Sequence, residues 1–416
     1  MYIQRALEQT ILEINASFPV LLLTGPRQVG KTTLLQKMAE TDRQYVTLDD
    51  PGIRDLAIRE PALFLQRYTP PVIIDEIQYA PQLLPYIKMY VDKNKEKGGF
   101  WLTGSQMFHV MKGVSESLAG RVGIVNLVGL SNSEITGTRY GAFTTDSNVL
   151  MNRMKTAKPM QLMDVYERIY KGSMPVLYET DNINVERYYA SYVQTYIQRD
   201  IKDLTQVADE LAFYRFLCIA AARTGSMVNY DVMATEAEIS APTAKQWLSL
   251  LVSSGIVALI EPYHNNALKR VVKSPRMYFL DTGLVAYLAK WTSPEALEAG
   301  AMAGSFFETW VVSEIYKSFL NTGKRPPLFF YRDSNTKEID LIIFQNNMLN
   351  PVEIKKSSNP KGATRNFGVL NPVTQPNSYD GIASLKMDIG TGAVVCLSHD
   401  LLPVDDNNWL VPAWLI

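Results

Sequence analysis

The sequence predicts an α/β fold for its N-terminal third, on three apolar runs that each end in polar residues. The runs cover residues 19–24, 70–77 and 99–106, and helical patterns lie between them. Alternation of apolar strands with helices over residues 1–135 is typical of a parallel sheet flanked by helices. Because the carboxyl ends of parallel strands meet at one edge, we expect the polar residues there to form a site.

The first run leads into a phosphate-binding motif. Residues 25–32 read Gly-Pro-Arg-Gln-Val-Gly-Lys-Thr and precede a predicted helix. Two glycines let backbone amides turn inward, and the helix N-terminus adds the positive end of its dipole. Lys31 is expected to reach the outer phosphates of ATP, and the Thr32 hydroxyl to ligate Mg²⁺. The predicted nucleotide contacts are Gly25, Pro26, Arg27, Gln28, Val29, Gly30, Lys31, Thr32 and Thr33.

Adjacent carboxylates end the second run and hydroxyls end the third. Asp75 is predicted to hold the Mg²⁺ shell together with Thr32, and Glu76 to orient or deprotonate the attacking water. Thr103 or Ser105 is expected between the two carboxylates, where it senses the γ-phosphate. The sequence leaves the choice between these hydroxyls open, although Ser105 is the one included in the predicted nucleotide site.

The order of these motifs, continued by Ser-Leu-Ala-Gly-Arg at residues 117–121, resembles the prokaryotic AAA-type ATPases. More narrowly, the chain is similar to a family in which such an ATPase is fused to a C-terminal domain of unknown function. Segments 192–201, 278–284 and 330–355 extend the resemblance over nearly the whole chain. It implies ATP hydrolysis by a homo-oligomeric ring, expected to be a hexamer. Arg121 and Arg199 are its candidate transition-state arginines, and each is alternatively a structural ion-pair partner.

Composition excludes several classes of protein. The chain has 416 residues with 41 Lys and Arg against 42 Asp and Glu, so nucleic-acid contacts must come from local basic patches. Two distant cysteines give no disulfide framework, and three histidines give no zinc cluster. No apolar run reaches the length of a membrane span, and the N-terminus lacks the apolar core of a signal peptide. We expect a cytoplasmic protein without a membrane partner.

Four domains are predicted along the chain. They are an AAA-type core at 1–135, a helical lid or connector at 136–216, a winged helix at 217–290 and an α/β restriction-endonuclease-like domain at 291–416. Residues 172–175, Gly-Ser-Met-Pro, are predicted to break the helical pattern of the lid.

The predicted winged helix carries candidate DNA contacts. Ser240 is a suitable N-cap for a recognition helix whose first turns expose Thr243, Lys245 and Gln246. Segments 256–260 and 277–280 are the predicted strands of the wing. Cations in and beside that wing suit contact with the phosphates of duplex DNA, although winged helices also bind proteins. They are Lys269, Arg270, Lys273 and Arg276.

The last domain carries a second set of candidate catalytic residues. Glu308 lies on a predicted amphipathic helix, and Asp340, Glu353 and Lys355 lie on a predicted hairpin where they are expected to converge. Two acids that bind a divalent metal, with a lysine that positions water, suit cleavage of a phosphodiester. The order resembles the PD-(D/E)XK nuclease superfamily. The alternatives are a nuclease-like fold that only binds, and a plain solvated strand.

Three functions remain open from the sequence. The first is an oligomeric, ATP-driven motor that remodels or translocates duplex or branched DNA. The second is an ATP-controlled, metal-dependent DNA nuclease. The third is a nucleotide-dependent switch that assembles partner proteins.

Overall fold

The N-terminal part of the chain is built on a five-stranded parallel sheet. The structure is a computed structural model that describes residues 2–105, 113–114, 116–180, 182–197, 210–263, 274–333, 337–370 and 387–416. The strand order is β2-β3-β4-β1-β5. The predicted parallel α/β sheet is confirmed, with strands β1 Val20–Thr24, β2 Gln44–Thr47, β3 Val72–Asp75, β4 Phe100–Gly104 and β5 Val122–Asn126.

Helices cover both faces of this sheet, which explains why its strands are continuous apolar runs. Side chains alternate between faces along a strand, so Leu21 and Leu23 of β1 enter one core while Val20 and Leu22 enter another. The helices of this part are α1 Glu8–Ser17, α2 Lys31–Met38, α3 Pro51–Arg59, α4 Pro61–Arg67 and α5 Leu83–Asn94.

A helical segment follows the sheet. Its break lies where the sequence predicts it, because Gly172 ends one helix at a φ of 78° and Pro175 begins a short 3₁₀ turn. Tyr189 and Tyr192 are buried, which agrees with a packing role for this tyrosine-rich helix. The helices are α6 Asn132–Thr136, α7 Ser147–Met154, α8 Leu162–Lys171 and α9 Val185–Tyr192.

Three helices and an antiparallel hairpin come next. The helices are α10 Glu210–Ala222, α11 Tyr230–Ala237 and α12 Ala241–Ser253, and the strands are β6 Val257–Pro262 and β7 Arg276–Phe279. The Ser240 side chain accepts the backbone N–H of Thr243 at 3.2 Å, which confirms the predicted N-cap of α12.

The hairpin is the end of a larger sheet, and this differs from the predicted boundary near residue 290. Strand β6 pairs in parallel with β8 at Glu261 and Pro262, which joins the hairpin to a nine-stranded sheet in the order β13-β14-β12-β10-β9-β8-β6-β7, with β11 beside β10. The remaining strands are β8 Leu328–Arg332, β9 Glu338–Gln345, β10 Met348–Lys355, β11 Asp388–Ile389, β12 Gly392–Cys396, β13 Leu402–Pro403 and β14 Asn408–Pro412.

A long helix links the C-terminal sheet to the N-terminal domain. It follows α13 Thr282–Leu288 and α14 Pro294–Ala299, and it is α15 Ala303–Leu320. It is buried around most of its circumference rather than along one stripe. Its Glu314 accepts the backbone N–H of Asn132 at 2.7 Å, and Lys317 donates to the Leu130 carbonyl at 3.3 Å. The two side chains pair with each other at 2.9 Å, so both buried charges of the junction are compensated.

A second buried ion pair holds the N-terminal segment in place. The Arg5 guanidinium contacts the Glu134 carboxylate at 2.9 Å and donates to the carbonyls of Val29 at 2.9 Å and Val128 at 2.7 Å. Glu134 also accepts the backbone N–H groups of Ala6 and Ser131. Burial raises the pKa of Glu134, but Arg5 and these N–H groups outweigh it and leave that pKa below its ordinary value.

Among the helices in the described part of the chain, none combines the length and the apolar character that crossing a bilayer requires.

We expect Glu134→Gln to destabilise the N-terminal domain by about 3–5 kcal/mol at pH 7, because it leaves the buried Arg5 uncompensated. The depressed pKa of Glu134 stabilises the fold above the pKa of the unfolded carboxyl, about 4.3, and this stabilisation is lost as pH falls through the folded value. Urea unfolding from pH 3 to 8 measures both effects. Equal midpoints for the variant and the wild type at pH 7 would contradict the prediction.

Candidate functional site

The loop of residues 25–32 has the backbone that its glycines predict. Gly25 adopts a φ of 142°, and a Cβ there would lie 1.9 Å from the Leu127 carbonyl oxygen, so only glycine fits. Gly30 precedes α2 at a φ of 90°. Gln28, at the tip of the loop, has a φ of 62°, which is uncommon for a residue with a side chain. Such local strain is typical of ligand-binding loops.

Lys31 lies inside the loop. Its side chain is buried, and its ammonium group donates to the carbonyl oxygens of Gly25 at 3.1 Å and Pro26 at 2.8 Å. These carbonyls belong to the same loop whose amides are predicted to hold phosphate. The lysine is therefore held at the loop by short contacts that a phosphate oxygen can replace.

Asp75 is the centre of a hydroxyl network at the end of β3. Thr32 donates to both of its carboxylate oxygens, at 3.0 and 3.1 Å, and Thr103 donates to Oδ1. The phenol of Tyr45 donates to Oδ2 at 3.0 Å. Burial and the neighbouring Asp75 raise the pKa of Tyr45 to about 12, so the phenol remains a donor at neutral pH. No sequence pattern marks Tyr45 as a site residue, because only the pairing of β2 with β3 places it beside Asp75.

Glu76 follows Asp75 in a left-handed conformation with a φ of 58°. Its backbone N–H donates to the Thr103 hydroxyl at 3.0 Å, and its carboxylate accepts hydrogen bonds from Ser105 at 3.2 Å and from Gln78. Both hydroxyls that the sequence left open are thus used, since Thr103 binds Asp75 while Ser105 binds Glu76. Asp49 is a further carboxylate near this pair. Partial burial, and then the charges of Glu76 and Asp75, raise its pKa.

The donor set at this edge fits Mg²⁺. The Thr32 hydroxyl and the Asp75 carboxylate are in direct contact, and both are the hard oxygen donors that Mg²⁺ prefers beside substrate phosphates. Tyr45 and Thr103 fix the orientation of that carboxylate.

A cavity of about 270 Å³ adjoins the loop, on the side of the N-terminal segment. Arg5 holds this segment against the loop through the Val29 carbonyl. The cavity is lined by Tyr2, Ile3, Arg5, Val29, Gly30, Thr33, Leu130, Pro175 and Glu179. Its mixed apolar and polar walls suit a flat heterocycle next to bound phosphates.

Arg121 lies at the opposite edge of the sheet from the loop of its own chain. It immediately precedes β5, whose first residue Val122 pairs with Val20, whereas the loop follows the far end of β1. At about 3.3 Å per strand residue, the two edges are roughly 15–20 Å apart. Arg121 is ion-paired with Asp92 and about one-third exposed. An arginine side chain is too short to span that distance, so Arg121 cannot reach the phosphate loop of its own chain. Arg199 lies outside the described residues.

The candidate residues of the C-terminal domain do converge. Lys355 contacts the Glu353 carboxylate at 2.6 Å and the Asp340 carboxylate at 3.6 Å, and Asp340 accepts the backbone N–H of Ile354 at 2.9 Å. Glu308 on α15 accepts the Tyr278 phenol at 2.7 Å. The guanidinium of Arg276 lies between Glu308 and Asp340 and contacts both, so Arg276 also belongs to this cluster.

Arg276 is placed differently from the sequence expectation. It was expected among the DNA-contacting cations beside the wing, but it is only 7% exposed. Its guanidinium lies 3.4 Å from Glu308 and 3.9 Å from Asp340, and it pairs directly with Glu338. Burial therefore prevents it from meeting a DNA phosphate. Thr243 is half-buried and Lys245 exposed on α12, while Lys269, Arg270 and Lys273 lie outside the described residues.

The cluster does not fit a divalent metal as the nuclease resemblance would require. Within the described ranges, no group of three or more Asp, Glu, His or Cys side chains is placed to hold a metal ion. Burial raises the pKa of Glu308, and Asp340 raises it further. Burial and then Asp340 raise the pKa of Glu353 to about 7. Burial, and then repulsion from Asp340, therefore disfavours the charged form of both carboxylates.

Three family models match successive parts of this chain. Residues 17–136 match the AAA domain, which covers the five-stranded sheet and its phosphate loop. This match agrees with the AAA-type ATPase that the sequence resembles. The two other matches are domains of unknown function, DUF8612 at residues 162–295 and DUF4143 at residues 303–416. The first of these spans the predicted lid and winged helix together, beyond the AAA domain.

The chain is similar over most of its length to two uncharacterized proteins. They come from Mycobacterium tuberculosis and Mycobacterium bovis, and each is 26% identical over 343 residues, which is 82% of this chain and 71% of theirs.

Two solved structures share parts of this architecture. The Walker-type ATPase PABY2304 of Pyrococcus abyssi is 15% identical, with a TM-score of 0.44 over 68% of this chain and 94% of its own. The Thermotoga maritima RuvB Holliday junction branch migration motor is 17% identical, with a TM-score of 0.25 over 61% of this chain and 85% of its own. Neither likeness is close enough to transfer an activity to the AAA domain described above.

We expect Glu353→Gln to change how stability depends on pH. A carboxyl whose folded pKa is raised to about 7 stabilises the fold below its unfolded pKa, and this contribution is lost as pH rises through 7. At 1.36 kcal/mol per pKa unit, the free energy of unfolding of the wild type falls by at most about 3 kcal/mol as pH rises. The variant does not show this fall, because its glutamine stays neutral. Urea unfolding at pH 5 and pH 8 measures it, and equal pH dependence in both proteins would refute the assignment.

Proposed function

We propose that the AAA domain binds MgATP and hydrolyses its terminal phosphate. The observation that carries the proposal is the contact of Thr32 with Asp75, beside a Glu76 carboxylate that is oriented by Ser105. The phosphate loop, a metal-binding acid and a separately held acid thus lie at one edge of one sheet. A structural turn would require none of these contacts.

Each residue has a role that its contacts support. The loop amides and the N-terminus of α2 bind phosphate, and Lys31 exchanges its contacts with loop carbonyls for phosphate oxygens. Thr32 and Asp75 hold Mg²⁺, which when bound neutralises charge on the β- and γ-phosphates. The cavity beside Val29, between the N-terminal segment and Leu130, receives the adenine ring of ATP.

Glu76 is the proposed base that orients and deprotonates the attacking water. Its backbone and side chain are held separately, by Thr103 and Ser105, so the carboxylate has a fixed direction. Asp75 accepts hydrogen bonds from the hydroxyls of Thr32, Thr103 and Tyr45, which fix its carboxylate beside Thr32, and it therefore suits a metal-holding role rather than proton transfer. The two adjacent acids thereby divide the two tasks.

The active form is proposed to be a homo-oligomeric ring, and the family resemblance implies a hexamer. Arg121 supports this proposal, because its place at the far edge of the sheet makes it useful only to the nucleotide of a neighbouring subunit. In that arrangement it would leave Asp92 and stabilise charge on the transferred phosphoryl group. Arg199 is the second proposed contributor.

The proposed task of ATP hydrolysis is to drive remodelling or translocation of duplex or branched DNA. Two contacts connect the phosphate loop to the proposed lid and winged helix. Tyr188 donates to the Gln28 side chain at 2.8 Å. Gly255, just beyond α12, approaches Pro26 so closely that a Cβ there would lie 3.1 Å from the proline ring. Movement of the loop would therefore act on both modules.

Helix α12 is suited to carry such movement. It has 13 residues, and at 1.5 Å per residue it is roughly 20 Å long. One end lies near Pro26 of the phosphate loop, and the other carries the exposed Lys245 and Gln246 in its first turns. Lys269, Arg270 and Lys273 are retained as proposed phosphate contacts on sequence grounds alone.

A nuclease activity remains a second proposal, favoured by the convergence of Lys355 with Asp340 and Glu353. The burial of Arg276 among the same carboxylates opposes it. A nucleotide-dependent assembly switch would use the same contacts at Gln28 and Pro26. It differs from the motor in that DNA would not change its rate of ATP turnover.

We expect Lys31→Ala to abolish nucleotide binding, because the loop then lacks its only buried ammonium among the described residues. Glu76→Gln should still bind ATP but turn it over about 10²–10⁴-fold more slowly, since it lacks the base. Fluorescent-nucleotide binding and phosphate release measure these two effects separately.

Lys37→Ala is the matched control, because Lys37 is an exposed lysine on the same helix α2. It should bind and hydrolyse ATP as the wild type does. Normal turnover by Glu76→Gln would overturn the assignment of the base, and normal nucleotide affinity in Lys31→Ala would overturn the site itself.

We expect DNA to stimulate ATP turnover, and Lys245→Glu to weaken duplex binding by removing a phosphate contact. The slope of log affinity against log salt should become shallower by about 1. Anisotropy titrations with duplex, branched and single-stranded DNA at several salt concentrations measure this slope. Lys158→Glu, at an exposed loop lysine, should leave the slope unchanged. Equal effects of the two variants would contradict a specific role for α12.

A further inference from the structure

Arg276 occupies the middle of the C-terminal carboxylate cluster. Its guanidinium reaches Glu308 on α15, Glu338 and Asp340 on β9, and it is itself anchored on β7. It also lies 5.0 Å from the centre of the Phe330 ring, a distance typical of a cation–π contact. One buried cation thus joins three elements that are far apart in the sequence.

Both oxygens of Asp340 and one oxygen of Glu308 are already engaged by donors or cations. One oxygen of Asp340 accepts the Ile354 N–H and faces Lys355 at 3.6 Å, and the other faces Arg276. Glu308 Oε1 accepts the Tyr278 phenol and faces the guanidinium.

Glu353 offers less than a metal site requires. Its Oε1 pairs with Lys355 at 2.6 Å, while its buried Oε2 receives no hydrogen bond from any described residue. Mg²⁺ is usually held by one or two carboxylates, with waters at its other positions. The carboxylate that would complete such a pair with Glu353 is Asp340, and its two oxygens already face Lys355 and Arg276. A divalent ion would also stand against the guanidinium, in surroundings where burial strengthens the repulsion.

We propose that Arg276 is the resident cation of the Glu308–Asp340–Glu353 cluster and takes the place of a divalent metal. The wild-type cluster then binds no divalent ion. It is an ion-pair junction that fastens the β6–β7 hairpin to α15 and to the C-terminal sheet. This inference goes beyond the proposed ATPase function and does not depend on it, because no residue of the phosphate loop takes part.

Removing the guanidinium should create the metal site that is absent from the wild type. Arg276→Met retains apolar bulk on β7 but leaves Glu308 and Asp340 without their buried cation, next to the available oxygen of Glu353. The full-length protein, free of nucleotide, is titrated with Mn²⁺, and the free ion is followed by its electron paramagnetic resonance signal. We expect Arg276→Met to bind one additional Mn²⁺ at least tenfold more tightly than any Mn²⁺ bound by the wild type.

Arg332→Met is the matched control. Arg332 is a partly exposed arginine that approaches only Glu338 within the described residues, at 4.0 Å. Its replacement leaves Arg276 in place and should not change Mn²⁺ binding. The double variant Arg276→Met with Asp340→Asn should lose the additional ion. Equal Mn²⁺ binding by Arg276→Met and the wild type would overturn the proposal.

If Arg276→Met does not fold, the proposal can still be tested in proteins that retain Arg276. Glu353→Gln changes an oxygen without a hydrogen-bond donor into an amide of nearly the same shape. The proposal expects the Mn²⁺ binding curves of the wild type and Glu353→Gln to coincide. A Mn²⁺ ion bound by the wild type and lost in Glu353→Gln would place a divalent metal in the cluster and overturn the proposal.

Discussion

The buried guanidinium of Arg5 is the constraint on which the geometry of the proposed nucleotide site depends. A buried charge is tolerated only where its N–H groups are satisfied, and Arg5 meets this requirement through Glu134 and the carbonyls of Val29 and Val128. Through Val29, Arg5 holds the N-terminal segment against the phosphate loop. Through Val128 and Glu134, it holds the same segment against the chain that follows β5 and against α6. Glu314 of α15 then holds α6 from the other side.

Other buried polar side chains repeat this principle where modules meet. Asp281 accepts hydrogen bonds from Ser173 and Tyr189, which fixes the helical segment against α13. Arg153 donates to the Leu415 carbonyl, which ties the last residues to α7. Arg276 joins the hairpin to the C-terminal sheet. Networks of this kind favour one arrangement, because separating the modules would take these buried polar groups away from their partners. The modules therefore meet through defined contacts.

Sequence patterns predicted the parts of the site that local geometry controls. The phosphate loop, the adjacent Asp75 and Glu76 at a strand end, and the Ser240 cap each depend on neighbours within a few residues. The convergence of Asp340 with Lys355 was predictable for the same reason, because β9 and β10 form a hairpin whose register follows from alternation. Patterns could not predict that Tyr45 donates to Asp75, since no local signal relates these two residues.

The sequence by itself determined an AAA-type phosphate site and the separate acidic and basic residues of the C-terminal domain. The tertiary structure alone decided which charges meet. It buried Arg276 among carboxylates, set Arg121 at the edge opposite its own phosphate loop, and brought Gly255 against Pro26. The physical reason is that a motif records local backbone geometry, whereas the environment of a charge depends on strand order and on packing between residues distant in the chain.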